Sequence, residues 1–90
     1  MYLLSRRLDK MERRVYNSSM NNLILKNKLK QIRAEKDLSQ DQLAKLVGVS
    51  RQTINAIENG DYNPSTILSF TIAKVLALDI NSIFNISENE

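Results

Sequence analysis

Residues 39–60, SQDQLAKLVGVSRQTINAIENG, hold two helix starts around one turn, and this constrains the fold more than any other stretch of the chain. Ser39 is a good N-cap and Gln42 follows it in the capping-box position. Leu43, Ala44, Leu46 and Val47 then supply a buried stripe, which predicts a helix over 40–47. Gly48 stands where a left-handed backbone conformation is needed to stop that helix. Val49 plugs the turn and Ser50 caps a second helix that ends at Gly60. In it Ile54 and Ile57 point inward, while Arg51, Gln52, Thr53, Asn55, Ala56 and Asn59 point away. The rest of the chain is expected to hold this unit in place.

Leu25, Leu29 and Ile32 have helical spacing and predict a helix over 27–36, joined to the next by Asp37 and Leu38. The short apolar run from Leu23 to Lys26 reads equally as a strand or as the start of that helix. Asp61, Tyr62, Asn63, Pro64 and Ser65 are turn chemistry followed by a helix start. Ile67, Leu68, Ile72, Val75 and Leu76 predict a core helix over 65–77, its buried face widened by Phe70 and Ala73. Residues 79–84 suit one more helical turn, and Asn85 to Glu90 form a polar tail with Ile86 as its one apolar residue.

At the other end, Leu4, Leu8, Met11 and Val15 lie on one face of an amphipathic helix over 1–16, surrounded by arginines and Lys10. Four readings stay open for it: a solvated or partner-seeking helix, a basic arm on the DNA backbone, a dimerisation helix, or a helix on a membrane surface. Met20 follows the polar break Asn17, Ser18, Ser19 and is also a candidate start codon. The chain therefore divides into a basic segment, 1–19, and a domain, 20–90.

Composition narrows the chemistry. The absence of cysteine removes disulfides and thiolate metal sites, and the absence of histidine removes the commonest metal ligand and general base. No metal, no cofactor and no enzymatic activity are expected, since there is also no Gly-rich phosphate loop and no nucleophile-base pair. No apolar run approaches the roughly 20 residues that span a bilayer, so no membrane segment is expected and the expected location is the cytoplasm. The net charge of +3 resides in residues 1–19, which hold five basic and two acidic side chains; residues 20–90 hold eight of each. Overall basicity is therefore no argument that the domain binds DNA.

The motif supplies that argument. Gln40, Ala44, Gly48, Val49, Ile54 and Ile57, followed by Glu58, Asn59, Gly60 and a Pro-Ser helix start, resemble the Cro and phage-repressor type of helix-turn-helix domain, the XRE family, over about residues 27–84. The resemblance implies a compact all-α, four- to five-helix lambda-repressor-like domain. To it this chain adds the N-terminal amphipathic helix and, as one option, a short β-pairing of the domain's two ends. It also implies a sequence-specific regulator of transcription, binding double-stranded DNA with its third helix in the major groove. A repressor is the favoured reading, because a small dimer covering a promoter blocks polymerase without further apparatus.

Carried over by position, Ser50, Arg51, Gln52 and Ala56 fall at base contacts, with Thr53 and Asn55 beside them, able to reach a base or a phosphate. Ser39 and Gln40 fall at phosphate contacts at the start of the second helix, where the backbone dipole is positive. Asn59 and Tyr62 are phosphate candidates beyond the third helix, Tyr62 reading equally as a loop-packing aromatic. The resemblance further implies a buried, structural ion pair between Arg33 and Glu58. One helix reads too few base pairs for selectivity in a genome, so a homodimer on a near-palindromic operator is expected. Its minimal interface is read at the end of the fold, where Leu23, Ile24 and Leu25 pair with Ile83, Phe84, Asn85 and Ile86, with the 1–16 helix as an addition. The competing reading is an antitoxin that regulates itself through the same domain while residues 1–16 neutralise a protein partner.

Overall fold

The computed structural model describes residues 23–88, so the helix expected over 1–16, together with every role read into it, lies outside the described residues. Five helices stand between two strands: β1 (Leu23–Asn27), α1 (Leu29–Glu35), α2 (Gln40–Val47), α3 (Arg51–Glu58), α4 (Thr66–Leu76), α5 (Ile80–Ile83) and β2 (Phe84–Glu88). The strands pair antiparallel, with Leu23 opposite Glu88, Leu25 opposite Ile86 and Asn27 opposite Phe84. The fold is therefore mostly helical, with a two-stranded sheet joining its two ends. The open choice at Leu23–Lys26 resolves as a strand, and α1 starts later than the periodicity predicts.

Each helix sends large apolar side chains to one core. Leu29 of α1, Leu43 of α2, Ile54 and Ile57 of α3, Ile72 and Leu76 of α4 and Ile83 of α5 are all fully buried. Burying each stabilises the fold by about 1.5–3 kcal/mol, which makes these seven the dominant cohesive element of so small a domain. Serines at three helix starts keep the short helices from fraying: Ser39, Ser50 and Ser65 each accept a backbone N–H with the side-chain oxygen.

Three assignments of buried faces need correction. Phe70 is 56% exposed and Ile67 81% exposed, although both were expected inside. An α4 that is apolar on nearly every side turns the stripe Leu68, Ser69, Ile72, Ala73, Val75 and Leu76 to the core. A residue advances about 100° around the axis, which leaves Ile67 and Phe70 opposite that stripe. Leu46 is likewise exposed, since Leu43, Ala44 and Val47 already fill the inner face of α2. At the end of the fold, Ile83 belongs to α5 rather than to a strand, and it is buried together with Phe84.

Candidate nucleic-acid interface

The turn between α2 and α3 is built on Ala44. Its side chain is buried against the core, and its carbonyl accepts the N–H groups of both Gly48 (2.8 Å) and Val49 (3.0 Å). Gly48 takes φ +92°, the left-handed region where a side chain is strained even though nothing lies within 4 Å of a Cβ placed there. The turn thus fixes the angle between two helices of eight residues each. At its far side, Ser50 Oγ accepts Thr53 N–H at 3.1 Å and shares a hydrogen bond with Thr53 Oγ1 at 2.9 Å. Two of the expected DNA contacts are thereby tied to each other at the first turn of α3.

On α3, Arg51, Gln52 and Asn55 are exposed, while Thr53 and Ala56 are half-buried at the margins. Ile54 and Ile57 anchor the opposite side of the helix in the core. The outward face is polar and carries a single positive charge, Arg51, between Val47 and Gly60. On α2, Lys45 is paired with Asp41 at 3.2 Å, both largely in solvent, so the pair contributes no more than about 0.5 kcal/mol. Ser39 is occupied by the capping box: its Oγ accepts Gln42 N–H at 3.0 Å and its own N–H reaches Gln42 Oε1 at 2.8 Å. Asn59 caps the end of α3, exposed, and Tyr62 stands 45% exposed in the loop beyond.

Behind this face lies a charged brace. Arg33 Nε donates to Glu58 Oε2 at 2.7 Å and Nη2 to Oε1 at 3.3 Å, while Nη1 donates to the Leu38 carbonyl at 2.7 Å. The Glu58 side chain is 1% exposed and that of Arg33 14%, so the carboxylate is withdrawn from the polar face and neutralised. Gln40 then reaches across from α2, its Nε2 donating to Glu58 Oε1 at 3.0 Å and to Asn55 Oδ1 at 3.1 Å. Arg33, Gln40, Asn55 and Glu58 are thus brought into one network, while Arg51 and Gln52 stand apart from it.

Asn27 lies outside the helix-turn-helix pattern of the sequence, yet it braces α3. Its Nδ2 donates to the Ile57 carbonyl at 2.9 Å, clipping the end of β1 to the last turn of α3, and its Oδ1 accepts Leu29 N–H at 3.0 Å. The sequence carried a signal for the second bond only: Asn just before a helix is a frequent acceptor for an early N–H.

The model of the helix-turn-helix family HTH_3 matches residues 29–83, the span from α1 to α5. This chain belongs to that family. The HTH_3 protein is 53% identical over 66 residues to an uncharacterized HTH-type transcriptional regulator of Methanocaldococcus jannaschii, a match covering 73% of this chain and all of the relative. It is 44% identical over 64 residues to the HTH-type transcriptional regulator YgzD of Bacillus subtilis, covering 71% and 97%. In structure it resembles the restriction-modification controller protein C.AhdI of Aeromonas hydrophila, with a TM-score of 0.58 and 31% identity over 60% of this chain and 78% of that one. The HTH_3 protein is accordingly a DNA-binding transcriptional regulator of the Cro and phage-repressor, or XRE, type. Among the described residues, no helix is long and apolar enough to cross a membrane.

Proposed function

We propose that the HTH_3 protein is a repressor that binds a near-palindromic operator as a homodimer, with α3 of each copy in the major groove. The observation that carries this reading is the face of α3 itself. Arg51, Gln52 and Asn55 project from a helix whose start is pinned at Ser50 and whose back is locked into the core and onto Arg33. Arg51 matches the two acceptors of guanine and Gln52 the donor and acceptor of adenine, each discriminating by about 1–3 kcal/mol. Ser39, Asn59 and Tyr62 flank that face as phosphate contacts, and Ala56 offers only a methyl to a thymine.

Dimerisation follows from the charge balance. A domain neutral by count gains little from the phosphate backbone, so a second reading helix has to supply affinity and selectivity. The sheet offers a surface for it on the face where Ile86, 65% exposed, stands opposite half-buried Leu25, with half-buried Leu23 beside them, while Ile24, 37% exposed, projects from the other face. Ile83 and Phe84 support that surface from within the core instead of lining it.

Binding of Arg51→Ala and Gln52→Ala to a set of singly substituted operator duplexes tests the reading. Each variant is expected to lose its preference at its own base pair while keeping the others. Unchanged preference in both removes α3 from base reading.

A further inference from the structure

The network behind α3 has a direction. Glu58 is a carboxylate held by Arg33, and a carboxylate can only accept hydrogen bonds. The amide that approaches its Oε1 at 3.0 Å must therefore turn its nitrogen inward, which sets the orientation of Gln40. That nitrogen has two hydrogens, and the second is donated to Asn55 Oδ1 at 3.1 Å. Asn55, an exposed residue, is thereby set in turn: its carbonyl oxygen faces Gln40, which leaves Nδ2 as the donor of its amide. Both N–H groups of Gln40 are consumed within the protein, so in this arrangement it has none to give a phosphate.

Resting on the reading of α3 as the major-groove helix, we infer that Gln40 is a positioning residue for base recognition: it transmits the polarity of the Arg33–Glu58 pair to Asn55. Asn55 then meets DNA as a hydrogen-bond donor. Its match is a base edge rich in acceptors, above all guanine with O6 and N7, and not cytosine, whose N4 donates. A side chain that would otherwise accept either orientation, and so read ambiguously, is given a single one by a buried charge three residues further along the helix. This departs from the phosphate contact that the family resemblance assigns to Gln40.

Selection of bound DNA from a random pool tests the inference on the full chain, with Gln40→Met, Asn55→Ala, their combination, and Arg51→Ala alongside the parent. Gln40→Met keeps the length of the side chain and removes its donors. It is expected to relax preference at the same base pair as Asn55→Ala, by about fivefold or more for the favoured base, and the double variant is expected to relax it no further. Arg51→Ala should relax a different base pair, and its result reports on α3 as a reading helix independently of Gln40. Uniform weakening of all sequences by Gln40→Met, with preference intact, would overturn the inference and return Gln40 to the phosphate backbone. Asn55→Asp serves if Gln40→Met does not fold, because it keeps the acceptor that Gln40 holds and removes the Nδ2 donor. A change of the favoured base toward cytosine at that position supports the inference, and an unchanged preference contradicts it.

Discussion

Glu58 shows how a residue that is unfavourable by charge becomes necessary by position. A carboxylate one turn from the surface proposed to face DNA repels phosphate unless it is withdrawn and paired. Here it is 1% exposed and bonded to Arg33 and Gln40. Removing one partner leaves the other charge uncompensated, so Glu58→Ala is expected to lower stability by about 3 kcal/mol, measured by chemical denaturation. Loss of less than about 1 kcal/mol would show that solvent replaces the pair. Gly48 poses the opposite case, open space with a strained backbone. Gly48→Ala should cost about 1–2 kcal/mol in the same measurement, from the left-handed conformation alone. The pairing of Arg33 with Glu58 could be anticipated because both positions match a family pattern. The bond from Gln40 to Asn55 could not, since it joins side chains on different helices whose distance only the turn at Gly48 determines.

Among the elements, α2 and α3 were the most legible, because caps and stop are written into the residues at their ends. Ser39 with Gln42, Gly48 and Ser50 fix boundaries that match the helices observed. α4 was legible as a helix but not in its orientation. Periodicity identifies a buried face by contrast with a polar one, and a segment containing Ile67, Leu68, Phe70, Ile72, Ala73, Val75 and Leu76 offers little contrast. Its rotation is set instead by what packs against it. The consequence is testable: Phe70→Gln is expected to change stability by less than about 1 kcal/mol, whereas Ile72→Ala, at a fully buried position, should cost about 2–5 kcal/mol. Similar losses from both would place Phe70 in the core. The strands were ambiguous for a related reason, since a five-residue run has too few alternations to separate strand from helix, and its partner lies at the far end of the domain.

At the scale of the molecule, Asn27 connects the sheet to α3, the helix proposed to read the bases, so any contact made through the sheet bears on the placement of α3. If the sheet forms the dimer interface, Ile24→Lys combined with Ile86→Lys should give a monomer in sedimentation while the circular dichroism and melting temperature of each copy stay close to the parent's. A dimer that persists would move the interface elsewhere, to the exposed face of α4 or to residues 1–19. The measurement that tests the account most directly is the symmetry of the DNA that the full-length protein selects from a random pool. Two inverted half-sites with centres about 10 base pairs apart, one turn of DNA, are the predicted result. A single unrepeated motif, or no preferred sequence, would contradict it.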